Sequence, residues 1–123
     1  MNMSQRADWL HLLKTLADEN RLTMVALMSE RERTVRELAG LLSLSEPTIS
    51  HHVGKLRGAG LLLLRMAGSQ HFYRLNPARV AQFKSYAAAL DTLPTEAPPA
   101  DNAWIEALDV PEADKKVLRT YLV

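Results

Sequence analysis

Apolar residues recur at intervals of three and four over residues 4–17, 19–30, 35–42, 45–60 and 77–92, the spacing that lines one side of an α-helix. After Gly60 the pattern changes to that of strands. Leu61–Met66 and His71–Leu75 flank Ala67-Gly68-Ser69-Gln70, a hairpin connection in which glycine supplies the turn. The expected fold is mainly α: about five helices, a two-stranded ribbon and a short helical C-terminal extension.

The first helix carries Trp9, Leu10, Leu12, Leu13 and Leu16, too many apolar groups for one narrow stripe. Such a broad face buries two sides, one on its own core and one on a partner subunit; a helix central to its own domain is the alternative. Asp18 caps the second helix, with Leu22, Val25, Ala26 and Leu27 expected inward. Glu30-Arg31-Glu32-Arg33 reads as a solvated connection. Thr34-Val35-Arg36-Glu37 matches a capping box and starts a short helix with Val35, Leu38, Ala39, Leu41 and Leu42 expected inward. Ser43-Leu44 turns the chain into the next helix.

That fourth helix opens on Ser45, a hydroxyl N-cap, with Pro47 in the first turn, where a missing N–H does no harm. Ile49, Val53 and Leu56 form a narrow apolar stripe, and Gly58 and Gly60 are expected to end the helix. The opposite side carries Ser50, His51, Gly54, Lys55 and Arg57, with nothing acidic after Glu46. Two helices joined by a short turn, the second polar on its outer face, form a helix-turn-helix, and such a helix suits a DNA major groove. Taken alone, the stretch fits an ordinary surface helix equally well.

A ribbon following a helix-turn-helix is a wing, which places the fold in the winged helix-turn-helix class. Its first strand is apolar enough that Leu62 and Leu64 are expected to find cover on opposite faces, while Arg65, His71 and Arg74 supply polar and cationic groups. In the helix over 77–92, Val80, Phe83, Ala87 and Leu90 form one stripe, with Ala81, Lys84, Ala88 and Asp91 elsewhere, and Ala87–Ala89 allow close helix approach. It is expected to pack with the first helix as a dimerisation element, or else to be an ordinary core helix. LPTEAPPAD has three prolines and no apolar periodicity, which marks a linker. Beyond it, Trp104, Ile105 and Leu108, then Val117, Leu118, Tyr121 and Leu122, suggest two short helices. The expected division is 1–93 for the winged-helix and dimerisation domain, 94–101 for the linker and 102–123 for a helical segment. The apolar pattern is still running at Val123, as in a domain cut short or completed by another chain.

Composition changes this picture in three ways. No apolar run approaches the roughly 20 residues that cross a bilayer, and the N-terminus lacks the apolar core of a signal peptide, so a cytoplasmic, membrane-free protein is expected. There is no cysteine, hence no disulfide, thiolate metal site or catalytic thiol. The net charge of +1 is split: residues 1–93 hold twelve Lys/Arg against eight Asp/Glu, a charge of +4, and residues 94–123 hold three against six, a charge of −3. The basic part contains the candidate recognition helix, and local clusters, not totals, attract phosphate.

LKTLADENRLTMVALM, TVRELAGLLSLSEPTISHHVGKLRGAGLL and HFYRLNP together resemble the ArsR/SmtB group of bacterial winged-helix repressors over about residues 9–80. The resemblance implies a homodimer that binds inverted-repeat operators in double-stranded DNA and releases them when an inducer, often a metal ion, binds. Matched by position, major-groove contacts fall to Glu46, Pro47, Thr48, Ser50 and His51, and phosphate contacts to Lys55, Arg57, Arg65 and Arg74. Glu46 departs from the pattern, since a neutral residue is common there. His52 is expected to be partly buried and hydrogen-bonded within the domain. Dimer contacts fall to Trp9, Leu12, Leu13, Leu16, Val80, Phe83, Ala87 and Leu90.

The metal-sensing branch of the resemblance does not carry over. Thr34 and Arg36 stand where one family site has cysteines, and residues 77–92 contain no His and only Asp91. His51 and His52 are adjacent and project about 100° apart, unlike a chelating i, i+4 pair. No metal site or cofactor is expected, and the inducer is left unknown. An enzyme is not expected either, because no nucleophile elbow, Gly-rich phosphate loop or His–carboxylate pairing stands out. A winged helix used only for protein contact is the alternative function. The C-terminal segment is similar, over about twenty residues, to the start of an uncharacterised domain sometimes fused behind such DNA-binding domains.

Overall fold

The computed structural model describes residues 1–92 and 103–122, and its contacts divide the chain into two units, Met1–Thr92 and Leu93–Val123. The first unit runs α1 (Met3–Leu16), α2 (Glu19–Glu30), α3 (Val35–Leu42), α4 (Glu46–Gly58), β1 (Leu62–Ala67), β2 (Gln70–Leu75) and α5 (Pro77–Ala88), closed by a 3₁₀ turn at Ala89–Thr92. This is a winged helix-turn-helix. The second unit contains α6 (Ala103–Glu106) and α7 (Glu112–Leu122).

Local chemistry starts each helix of the first unit. Asn2 caps α1, Asp18 caps α2, Thr34 caps α3, Ser45 caps α4 and Asn76 caps α5, each side chain accepting from a backbone N–H two or three residues on. The α3 box closes on one side only. Glu37 N–H donates to Thr34, but the Glu37 carboxylate accepts from the Thr34 hydroxyl and pairs with Arg31. Ser43 adopts φ 55° in the turn between α3 and α4. Gly58 remains helical, so the reversal expected of both glycines falls to Gly60 alone, at φ +76°.

Leu12, Met24, Leu38, Ile49 and Leu56, one or two from each of the first four helices, are fully buried and form the centre of the core. Two helix faces differ from expectation. In α2, Met24 and Met28 point inward while Leu22 is 56% exposed and Ala26 also faces out. The helix packs against both α4 and β2, so its buried side is rotated from the stripe chosen by leucine content. In α3, Leu41 is 55% exposed because Leu38 and Leu42 already fill the side that faces α4.

The ribbon is antiparallel with Leu62 opposite Leu75 and Leu64 opposite Tyr73, and Gly68 takes φ +62° in its two-residue turn. Leu62 is buried and Leu64 packs on the same core. They share a face, contrary to expectation, because side chains two apart on a strand point the same way. The Glu30–Arg33 connection is not simply solvated. Arg33 exchanges both backbone hydrogen bonds with Tyr73, at 2.9 and 2.8 Å, and so adds a one-residue third rung to the wing. Its side chain is buried, donating to Leu27 O and Glu30.

Helix α5 ends at Ala88, short of the expected 92, where the chain tightens into the 3₁₀ turn. In the second unit, Arg119 bridges Glu106 and Glu112, and Lys115 donates to Glu106 O. Val117, part of the apolar pattern that suggested α7, is 54% exposed there. The 94–101 linker and the side chains of Trp104, Leu118, Tyr121 and Leu122 lie outside the described residues. Among the described residues no helix is long and apolar enough to cross a membrane.

Candidate nucleic-acid interface

Helix α4 presents two contrasting sides. Ile49, Val53, Leu56 and His52 are buried; Glu46, Pro47, Thr48, Ser50, His51, Lys55 and Arg57 are all exposed. Thr48 spends its hydroxyl locally, 2.8 Å from Ser45 Oγ, and its N–H on the same cap. Ser50 and His51 have no such engagement with polar neighbours among the described residues, so their donors and acceptors are turned to solvent. The His51 ring lies edge-on to that of His52, with ring centroids 5.8 Å apart.

His52 is held inside the domain. Its Nδ1 lies 3.4 Å from Arg21 Nη1, and because a guanidinium has donors only, Nδ1 is the acceptor in that contact. Arg21 is itself fixed by Thr15 O at 2.5 Å and by the Asp18 cap, whose carboxyl lies below the usual range chiefly through the Arg21 backbone hydrogen bond.

Between α4, the first turn of α3 and the wing turn lies an open groove of ≈ 450 Å³, lined by Glu46 and Ser50 together with Arg36, Gln70 and His71. The acid at Glu46 thus shares its groove with a cation, and it also sits in the first helical turn, where the dipole favours negative charge. Arg36 and Gln70 were missed from the sequence; the only signal for Arg36 was its outward position in the capped first turn of α3.

The wing cations are less free than their residue types suggested. Arg65 is clamped by Glu32, with Nε 3.0 Å from Oε2, and its guanidinium lies 4.5 Å from the centre of the Phe72 ring. Glu32 is held below the usual carboxylate range chiefly by that hydrogen bond, with desolvation opposing it. Arg57 leans over the Tyr73 ring at 5.9 Å. Arg74 is exposed. The Glu32→Gln variant is expected to bind random-sequence duplex about threefold more tightly at low salt, since it removes one anion and frees one cation on an exposed surface. An unchanged affinity by fluorescence anisotropy would place Arg65 outside the phosphate-contacting surface.

The candidate dimer residues are distributed unevenly. Trp9 stacks edge-on to Phe83 at 4.9 Å and tilts against Tyr86 at 5.6 Å, joining α1 to α5 within one subunit. Leu12 is wholly buried in the subunit's own core, and Leu16, Val80, Phe83 and Ala87 are half-buried. Of these candidates Leu13, at 40%, and Leu90, at 55%, remain exposed, as does Leu10 on α1, at 51%. Among the described residues no three His, Cys, Asp or Glu side chains are grouped as a metal ion would need.

The family described as "Bacterial regulatory protein, arsR family" matches residues 18–62, which spans α2 through α4 and the start of the wing. A biofilm growth-associated repressor of Xylella fastidiosa is 39% identical over 82 residues, covering 66% of this chain and 72% of that protein. The chain belongs to the ArsR family. The arsenical resistance operon repressor of Escherichia coli is 48% identical over 69 residues, covering 55% of this chain and 59% of that protein. The structure of HlyU from Vibrio cholerae superposes with TM-score 0.60 at 30% identity, covering 72% of this chain and 97% of that one. HlyU is named a transcriptional activator. The ArsR family consists of transcription regulators, not enzymes, and its helix-turn-helix is α3–α4 here.

Proposed function

We propose that this ArsR-family chain is a dimeric repressor that binds an inverted-repeat operator, with α4 in the major groove and the wing along the adjacent backbone. The observation that carries this reading is the exposed row of Ser50, His51 and Lys55 on a helix whose other side is buried in the core. In this reading Ser50 and His51 contact base edges with Glu46, Pro47 and Thr48 beside them, and Lys55, Arg57, Arg65 and Arg74 hold phosphates. Two relatives named repressors, at 39% and 48% identity, favour repression over activation. The exposed Leu10 and Leu13 on α1, and Leu90 just after α5, favour a second copy of the chain as the dimer partner. Thr34 and Arg36 at the family's cysteine positions, and the absence of His from α5, argue against metal sensing through the usual sites.

The test is selection of bound duplexes from a random-sequence pool. The expected product is an inverted repeat with half-sites about one helical turn, or a multiple of it, apart, bound less tightly as salt rises. Lys55→Ala is expected to weaken operator and random duplex alike, as loss of a phosphate contact does. Zinc or arsenite is expected to leave operator affinity unchanged; release by either ion would overturn the metal-independent part. A protein that binds no duplex at low salt would be a winged helix used for protein contact.

A further inference from the structure

At the C-terminal end of α4, three elements bring three cations and a histidine to one small cleft. His11 and Lys14 come from one side of α1, Lys55 from α4 and Arg21 from α2, around an open volume of ≈ 210 Å³ closed by Thr15. No acidic side chain lines it. The Arg21 charge is answered nearby by Asp18, at 3.7 Å. Lys14 and Lys55 have no ion pair among the described residues, so the cleft keeps a surplus of positive charge, which repels itself and lowers its energy by taking an anion.

The cleft is also built rather than incidental. The Arg21 side chain donates to Thr15 O at the end of α1 and reaches His52 on α4, at 2.5 and 3.4 Å, while its backbone N–H donates to the Asp18 cap at 3.0 Å. One half-buried side chain therefore ties α2 to the two helices that carry the lysines. Lys55 lies one turn beyond His51 on the same side of α4, so the cleft continues the surface proposed to face DNA.

We propose that His11 and Lys14 on α1, together with Lys55, form a backbone-phosphate site that extends the DNA contact beyond the helix-turn-helix and the wing. This rests on the DNA-binding reading above and adds α1 to it. The ligand is a phosphate of duplex DNA, and the contact positions the protein without reading bases.

The test is a salt titration of duplex binding by the full chain, using a duplex selected by the wild type and a random one. Lys14→Gln is expected to weaken both about fivefold at moderate salt and to lower the slope of log affinity against log salt by about one per subunit. His11→Gln/Lys14→Gln is expected to weaken both further, Lys14→Arg to retain the wild-type slope, and Lys84→Gln on exposed α5 to change nothing. A Lys14→Gln slope equal to that of Lys84→Gln, with wild type binding normally, would overturn the site. Loss of operator binding alone, with random duplex unaffected, would overturn it too, because a phosphate contact cannot discriminate sequence. If millimolar inorganic phosphate raised the melting temperature of wild type and not of Lys14→Gln while DNA slopes stayed equal, the cleft would be a small-anion site and the proposal wrong. Failure of wild type itself to bind any duplex would instead defeat the DNA-binding reading on which this one stands.

Discussion

The Ser50→Ala/His51→Ala protein is expected to lose most of its preference for operator over random DNA while keeping its affinity for random duplex. Both side chains are exposed on α4 and hold no neighbour in place, and alanine is the best helix former, so the helix survives the change. A base-edge contact contributes about 1–3 kcal/mol of discrimination, so losing two costs about 2–6 kcal/mol, or roughly 30- to 20,000-fold in the affinity ratio. The phosphate contacts are untouched, which is why random binding and its salt slope should persist. Anisotropy titrations of both duplexes at one salt concentration measure the ratio directly. A preference within threefold of wild type would mean that α4 lies in another register and that a different part of its surface reads the bases.

Removing Asp8 is expected to have the largest effect on stability of any exposed or half-exposed polar substitution in the first unit. Its carboxylate accepts from Arg79 Nη1 and Nη2, each at 2.7 Å, and from the Tyr86 hydroxyl at 2.6 Å. The Arg79 hydrogen bonds, then that of Tyr86, hold the Asp8 carboxyl far below the usual carboxylate range, and the same bond raises the Tyr86 phenol. Asp8→Ala leaves a mostly buried guanidinium without its anion and is expected to cost about 2 kcal/mol, a melting shift of roughly 10 °C for a unit of this size. Arg79 also donates to Ala59 O at 2.8 Å, so the loss loosens the tie from α1 and α5 to the end of α4.

The pH dependence follows from the direction of the shift. A carboxyl whose folded pKa is depressed stabilises fully above its unfolded pKa, near 4, and the contribution fades as pH falls toward the folded value. The stability gap between wild type and Asp8→Ala is therefore expected to be constant from pH 7 to about 5 and to narrow in more acid solution. Thermal melts across that range decide it. A gap as wide at pH 2.5 as at pH 7 would show that the ion pair is not its source.

The outward row of α4 followed from the inward one, since Ile49, Val53 and Leu56 leave Ser50, His51 and Lys55 little choice on a 3.6-residue repeat. The state of the wing cations did not. Glu32 and Arg65 are 33 residues apart, and nothing near either in the chain marks the pair. The same holds for the cleft beside α4, where Arg21 meets a histidine 31 positions away.

Sequence by itself determined where elements begin and turn. Asp18, Thr34, Ser45 and Asn76 cap helices through bonds to backbone two or three residues on, and Gly68 turns the ribbon by its own freedom at positive φ. Such interactions are complete within one turn of chain, so residue type and spacing suffice to specify them. Only the tertiary structure decided which side of α2 is buried, that Arg33 joins the wing, and that Asp8 meets Tyr86 across 78 residues. Those outcomes depend on which surfaces meet, and a helix offering Leu22 and Met24 on different sides is oriented by what packs against it, not by its own composition.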